Sequence, residues 1–202
     1  MANYYIAPTG DDSTGNGSIG NPWFTLNEAW SNISAGDIVY LRGGTYDYVD
    51  QQSLFDLSGT SGSHISIFNY PTESPILDFS GHADTGMKSG IRLDNVNYVD
   101  FKGFRVTDVY QPNTLLGTRN GIYGILFRAD VSNCTFEQIE VDHIGGWGFS
   151  FFDRISDIYF LNCDSHHHSD PYTDQGEEGD GANYGGSDGW QCGTETVTDI
   201  TF

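Results

Sequence analysis

The feature that most constrains the fold is a short pattern that recurs five times along the chain. Each copy reads apolar, variable, apolar, and polar residues typical of turns flank it. The copies lie at 65–67, 99–101, 134–136, 158–160 and 200–202. Because alternate residues of a β-strand point to the same face, each copy predicts a strand with two inward side chains.

A second set of apolar triplets precedes four of these copies by eight to ten residues. These triplets lie at 91–93, 125–127, 149–151 and 190–192, and each follows a glycine. Equivalent positions of the first set are 34, 35, 24 and 42 residues apart. The shortest step is about one coil of a parallel β-helix, and the longer steps fit a coil with an inserted loop. An antiparallel β-sandwich also has short strands, but its tight hairpins do not explain unequal loops at one place in each unit.

Helical patterning is confined to one segment near the start of the chain. In residues 21–33, Thr25 is placed to act as an N-cap, with Glu28 three residues later as its capping-box partner. The sequence therefore predicts an all-β parallel β-helix (solenoid) with a short N-terminal capping helix.

The charge of the chain limits the classes of partner that it can bind. It has 202 residues with 28 acidic against 8 basic side chains, a formal net charge of -20. Such a chain repels phosphate backbones and anionic lipid, so we expect no nucleic-acid partner and no membrane role. Divalent cations are its natural counter-ions.

The three cysteines lack the spacing of a zinc or redox site and are interpreted as buried small hydrophobes, with one disulfide as the alternative.

The N-terminal residues carry a first resemblance. The stretches YYIAPTGDD from Tyr4, GNPWFTL from Gly20 and GDIVYLRGGTY from Gly36 resemble the opening of secreted right-handed parallel β-helix proteins that act on polysaccharides. The resemblance implies a single domain over 1–202. Residues 1–45 would form the cap and entry and 46–202 the coils, with an acidic insertion near 172–187 and a coil stack that is cut short at its C-terminal end.

A narrower resemblance lies further along. The stretch NCDSHHHSDP from Asn162, followed by SDGW from Ser187, resembles the family 9 polysaccharide lyases, which cleave polygalacturonate by calcium-assisted β-elimination. It implies that Asp188 is a calcium ligand, and Asp180 is a competing match. Gly186 and Trp190 depart from the family pattern, which has Asn and Phe there. The lysine base of that family lies further along than Phe202, so no catalytic residue is assigned and the isolated chain is expected to be inactive.

Other side chains are candidates from their residue types. On a strand, Asp164 would share a face with His166 and His168, an arrangement that a transition metal can use. The favoured interpretation of the histidines is a polar turn at a coil corner.

Candidates for contacts with the sugar come from the aromatic and basic residues. An exposed Trp190 would stack on a pyranose ring, and Arg128, Arg154 and His143 lie at coil edges where they can meet a uronate carboxylate. Trp147, Phe149 and Phe151 share one face of a strand and predict a stacked core ladder.

Together these features predict a secreted, monomeric protein that acts on an acidic polysaccharide with Ca²⁺. The catalysed reaction would be β-elimination by the full-length protein. Two alternatives stay open: a carbohydrate-binding or adhesive β-helix without activity, and a glycoside hydrolase on the same scaffold, which needs two carboxylates across a groove.

Overall fold

The computed structural model describes residues 1–81, 89–110 and 121–168, together with the backbone of 190–192 and 200–201. These residues form a curled ten-stranded sheet, a five-stranded sheet and one short helix, α1 (Leu26–Asn32). The ten-stranded sheet contains β1 (Asn3–Ile6), β2 (Ile38–Leu41), β4 (Gln52–Phe55), β5 (Ile65–Asn69), β7 (Ser89–Asn97), β8 (Val99–Lys102), β10 (Tyr123–Glu137), β12 (Trp147–Leu161), β14 (Trp190–Cys192) and β15 (Ile200–Thr201). The five-stranded sheet contains β3 (Gly44–Asp47), β6 (Pro75–Asp78), β9 (Arg105–Thr107), β11 (Glu140–Asp142) and β13 (Asp164–His166).

All pairs of these strands within the described residues are parallel, and paired strands come from successive turns of the chain. The recurring triplets fall into one register, in which Ile67 pairs with Phe101, Phe101 with Phe136, and Phe136 with Phe160. The second triplets also align, since Ile91 pairs with Ile125 and Ile125 with Phe149. The predicted parallel β-helix is therefore confirmed.

The long strands β10 and β12 bend, so the ten-stranded sheet supplies two faces of the coil. The first half of β10 pairs with β7 and its second half pairs with β8. The five-stranded sheet is the third face. Residues directly after strands of the five-stranded sheet adopt the left-handed conformation at equivalent positions of successive coils, as at Asp108 (φ 60°), His143 (φ 52°) and His167 (φ 56°).

Aromatic rings stacked from coil to coil fill the interior. The rings of Phe101 and Phe136 lie 4.6 Å apart at 11°, and those of Phe136 and Phe160 lie 5.2 Å apart at 23°. Phe149 and Phe151 are fully buried in this core, as predicted. Trp147 is buried as well, and it stacks on Tyr123 of the preceding coil in a second, smaller cluster of buried residues. It stands at the first position of β12, where the chain has just turned the corner.

The capping helix forms where it was predicted. Thr25 is its N-cap, and the Thr25 hydroxyl oxygen accepts a hydrogen bond from the Glu28 backbone N–H at 3.0 Å. Leu26, Ala29 and Trp30 are buried, and the Trp30 indole N–H donates to the Phe55 carbonyl oxygen at 2.9 Å. The helix is thus anchored to β4 by packing and by a hydrogen bond.

Cys134 is buried and Cys163 is half-buried, and both are free thiols. Burial raises the pKa of the Cys134 thiol to about 12, so this side chain behaves as a small apolar group.

Within the described ranges, the helix is far too short to cross a bilayer, and no other candidate span is found.

Candidate functional site

A second, smaller hydrophobic cluster lies on the coils formed by β10 and β12, apart from the main core, and three of its four residues are buried. Tyr123 and Trp147 stack with their ring centroids 5.6 Å apart, and Phe152 meets Tyr123 edge to face at 5.7 Å. Leu126 completes the cluster, between the inward residues of the same strand. We call these four residues the outer aromatic cluster.

Arg128 lies beside this cluster. Its guanidinium carbon is 5.4 Å from the centroid of the Phe152 ring, and the side chain is exposed. Six of the eight arginine and lysine residues fall within the described ranges, and five of these six form a salt bridge with a carboxylate. The pairs are Arg42 with Glu73, Arg92 with Asp94, Lys102 with Glu137, Arg105 with Asp142, and Arg154 with Asp130. Arg128 is the sixth, and no described carboxylate neutralises it.

Arg154 is differently placed from Arg128, although the sequence suggested both for the same role. It stands at a coil bend with a φ of 55°, and its guanidinium donates to both oxygens of Asp130 at 2.6 Å. Asp153 accepts a further hydrogen bond from it. Because two carboxylates already occupy Arg154, a uronate must compete with them.

A buried carboxylate organises the corner at which His143 lies. Asp142 is 1% exposed and accepts two hydrogen bonds from Arg105, at 2.7 and 2.5 Å. His143 Nδ1 lies 2.5 Å from Asp142 Oδ2. Burial raises the pKa of the Asp142 carboxyl, but the hydrogen bonds from Arg105 and His143 outweigh burial and lower it to about 2. Asp142 is therefore ionised at every physiological pH.

The remaining histidines of this corner have different environments. His167 stacks on His143 with ring centroids 5.4 Å apart at 14°, because the two residues occupy equivalent bends of neighbouring coils. His168 is buried: its Nδ1 accepts from the Ile144 backbone N–H at 3.3 Å, and its Nε2 lies 2.9 Å from the Ser165 hydroxyl. Burial, with the neighbouring His166, lowers the pKa of His168 to about 4.

Of the three carboxylates suggested as metal ligands, the structure describes Asp164. Asp164 is exposed, and its Oδ2 lies 3.7 Å from His166 Nε2. Both ring nitrogens of His168 are engaged elsewhere, so Asp164, His166 and His168 do not converge on one point. Among the residues that the structure describes, no group of three or more His, Cys, Asp or Glu side chains is placed to hold an ion. Asp180 and Asp188 lie outside the described residues.

The backbone of Trp190 is described and pairs with Phe149. This register makes β14 the next coil after β12. In the sequence, β14 follows Asp188 and β12 follows His143, so these two candidates precede neighbouring strands of the same stack.

Sequence reasoning missed the Arg105–Asp142 pair and the outer position of Phe152. Arg105, Glu140 and Asp164 form one column of the five-stranded sheet, and Thr107, Asp142 and His166 form another. Only the register between coils brings these residues together. The signal for Phe152 was its position next to Phe151: since successive residues of a strand point to opposite faces, an inward Phe149 and Phe151 place Phe152 on the outer face.

The comparisons with known proteins agree with this architecture. The family model described as the Pel9A-like, right-handed β-helix region matches residues 4–193. Pectate lyase L of Paenibacillus polymyxa is 30% identical over an alignment that covers 96% of this chain and 45% of that protein. Pectate lyase PEL9 of Emericella nidulans is 29% identical, with 89% of this chain and 42% of that protein covered.

Solved structures resemble the chain in the same way. The crystal structure of pectate lyase Pel9A is 26% identical, with a TM-score of 0.66 over 85% of this chain and 41% of that one. A rhamnogalacturonan lyase has a TM-score of 0.74 over the whole chain and 56% of its own length, and at 20% identity this likeness concerns the fold alone. The chain spans less than half the length of the two curated lyases. The family match covers nearly the entire chain, and the chain therefore belongs to the Pel9A-like family of right-handed β-helix proteins.

Proposed function

We propose that the protein containing this chain cleaves a uronate-containing polysaccharide, such as polygalacturonate, by calcium-dependent β-elimination. The observation that carries the proposal is the similarity to two pectate lyases along nearly the whole chain. The net charge of -20 agrees with a cation-dependent activity, because a polyanionic protein meets a polyanionic sugar most readily through a shared divalent ion.

Calcium would supply one part of the chemistry: bound to a uronate carboxylate, it withdraws charge and makes the C5 proton more acidic. We propose Asp188 as a ligand from its sequence context, with Asp180 as the alternative and Asp164 as a further candidate. Since the described residues do not themselves form a calcium site, no step of the reaction is assigned to them through the ion.

The exposed Arg128, beside the half-buried Phe152 ring, supports a saccharide-binding role for the outer face of β10 and β12. A guanidinium that no described carboxylate neutralises is suited to bind a uronate carboxylate through two parallel hydrogen bonds. Its contact with the Phe152 ring restricts its orientation. We therefore propose Arg128, ahead of Arg154, as the arginine that contacts the substrate, and Trp190 as a second contact.

Lys102 is unsuited to act as the base that removes the C5 proton. Its ammonium group is paired with Glu137 Oε1 at 2.7 Å, on strands β8 and β10. A base must approach the proton that it removes, and this nitrogen is already held by the Glu137 carboxylate. Lys88 lies outside the described residues.

The experiment compares the complete natural protein with two matched variants, Asp188→Asn and Asp180→Asn. Each is incubated with polygalacturonate with calcium and with EDTA, and the unsaturated product is followed by the ultraviolet absorbance of its new C4–C5 double bond. We expect activity that EDTA abolishes and calcium restores. Asp188→Asn should lower calcium affinity and activity by at least about tenfold, whereas Asp180→Asn should retain both.

Three results would contradict the proposal. Reducing sugar without new ultraviolet absorbance would indicate a glycoside hydrolase, and binding without turnover would indicate a carbohydrate-binding β-helix. Full activity in EDTA would show that the reaction does not depend on calcium.

The polymeric substrate does not enter cells, so we also propose that the protein is secreted. Recovery of the native protein from culture medium tests this proposal.

A further inference from the structure

We propose that His143 is a saccharide-binding residue in which Nε2 accepts a hydrogen bond from a sugar hydroxyl group. The inference rests on the proposed function, because the ligand is the same uronate polysaccharide. It adds a binding residue on the five-stranded side of the coil, which calcium chemistry does not require.

The first step is the fixed position of the carboxylate behind His143. Asp142 is 1% exposed, and the Arg105 guanidinium donates to both of its oxygens. A carboxylate held by a bidentate arginine neither rotates nor becomes protonated near neutral pH. It is therefore a rigid acceptor for a neighbouring donor.

The second step assigns the tautomer of the imidazole. Because an ionised carboxylate only accepts hydrogen bonds, the 2.5 Å contact from Asp142 Oδ2 requires that His143 Nδ1 carries the proton. In the neutral ring, Nε2 then holds a lone pair and is an acceptor.

The third step concerns where the ring points. His143 occupies a left-handed bend, and the parallel ring of His167 lies 5.4 Å away, so packing and the hydrogen bond to Asp142 both restrict the ring. The side chain is nevertheless 52% exposed. In the described part of the chain, no residue hydrogen-bonds to Nε2 of His143. The result is an oriented acceptor at the surface, and sugar hydroxyl groups are the donors that a polysaccharide offers in greatest number.

The fourth step is the location of this acceptor. His143 lies in the connection between β11 and β12, and β12 carries Trp147 and Phe152 of the outer aromatic cluster. The next strand of that stack, β14, follows Asp188 in the sequence. A chain of sugar rings that runs along the stack would meet consecutive coils, and the coil of His143 directly precedes the coil that contains β14.

Two substitutions at one position separate the structural and the binding roles of His143. His143→Asn keeps an amide donor near the place of Nδ1 and tolerates the left-handed bend, but has no atom in the place of Nε2. His143→Gln places a polar amide near Nε2 and loses the donor to Asp142. Gln138 already occupies a left-handed bend of this chain at φ 55°, so glutamine is compatible with such a position.

A matched control exists on another face of the coil. His64 Nδ1 lies 3.0 Å from Asp100 Oδ2, and this side chain is 34% exposed. His64→Asn therefore makes the same chemical change to a histidine–aspartate pair outside the proposed site.

The experiment titrates the complete protein and the three variants with a galacturonate oligomer in calcium buffer, and measures the Kd by calorimetry and the thermal midpoint of each protein. We expect His143→Asn to raise Kd about tenfold with an unchanged midpoint, the loss typical of one hydrogen bond. His143→Gln should stay within about threefold of the natural protein, and His64→Asn should be unchanged.

The possible failures are distinguishable. If the natural protein binds the oligomer and His143→Asn binds it equally well, the inference is wrong and the proposed function stands. If His143→Asn and His143→Gln lose affinity only in proportion to a lowered thermal midpoint, His143 has a structural role and the inference is also wrong. If the natural protein binds no uronate oligomer, the proposed function fails, and the ligand assigned to His143 fails with it.

Discussion

Phe101 and Phe136 are 35 positions apart in the sequence, yet their rings stack face to face with centroids 4.6 Å apart. One coil of chain separates them, and their strands pair in register. This relationship is the unit from which the core is built, because each coil covers the apolar side chains of the coil before it. A ring in the middle of the stack is therefore supported from two sides.

Removal of a central ring should be strongly destabilising. Phe136 is fully buried and contacts Phe101 and Phe160, so Phe136→Ala should lower the free energy of unfolding by about 3–5 kcal/mol. The exposed Tyr159 lies on the outer side of the next coil, and Tyr159→Ala should change stability by no more than about 0.5 kcal/mol. Denaturant unfolding of both variants tests the expectation. Similar losses in the two would show that Phe136 is not a core residue in solution.

The glycine that precedes the triplet 125–127 has a steric cause. A Cβ atom at Gly124 would lie 2.4 Å from Val141 Cγ1 and 2.7 Å from the Gly148 carbonyl oxygen. Gly124→Ala should therefore destabilise the fold by about 1–3 kcal/mol, since the backbone of the neighbouring coil must move. A Cβ atom at Gly62 would meet nothing within 4 Å, so Gly62→Ala is the control and should be neutral or slightly stabilising. Equal thermal midpoints for the two variants would contradict this explanation.

Two of the three faces could be predicted from the sequence, and the third could not. The predictable faces carry two inward apolar residues per strand, such as Ile125 and Phe127, which produce a visible alternation. Strands of the five-stranded sheet are three or four residues long, and β9 and β11 have a single central inward residue, Val106 and Val141. A single apolar residue per strand produces no alternating pattern that the sequence could reveal. The position of this sheet becomes clear only when coils are stacked.

The candidate site was predictable in its residue types but not in its pairings. The sequence indicated Arg128, Arg154 and His143 as equals, because each follows or precedes a strand. Their differences depend on a carboxylate 24 residues away for Arg154, and for His143 on a buried neighbour that Arg105 of the preceding coil holds in place. Such contacts follow from the register between coils, which local patterns do not fix.

His168 should make stability sensitive to mild acid. Burial holds its pKa at about 4 in the folded protein, against 6.5 when exposed. Between these values the unfolded chain binds a proton that the folded chain does not, so stability is full above pH 6.5 and falls as the pH is lowered towards 4. The loss amounts to about 3 kcal/mol at most. His168→Asn keeps an acceptor for the Ile144 N–H but does not titrate.

The measurement for His168 is the thermal midpoint of both proteins between pH 7 and pH 4. The natural protein should lose more of its midpoint than His168→Asn over this interval, because only the natural protein carries this histidine. Parallel curves would show that His168 is protonated in the folded state, or is not buried in solution.

Arg128 offers the most direct test of which face binds the sugar. Arg128→Gln removes a guanidinium that no described carboxylate neutralises, and Arg154→Gln removes one that Asp130 and Asp153 already hold. With polygalacturonate as substrate, Arg128→Gln should raise KM about tenfold, whereas Arg154→Gln should leave KM within about twofold, since its guanidinium is committed to protein carboxylates. Both side chains are exposed, so thermal midpoints should change little. A larger KM effect at Arg154 would mean that uronates displace its carboxylate partners, and that the binding surface follows the coil bends rather than the outer aromatic cluster.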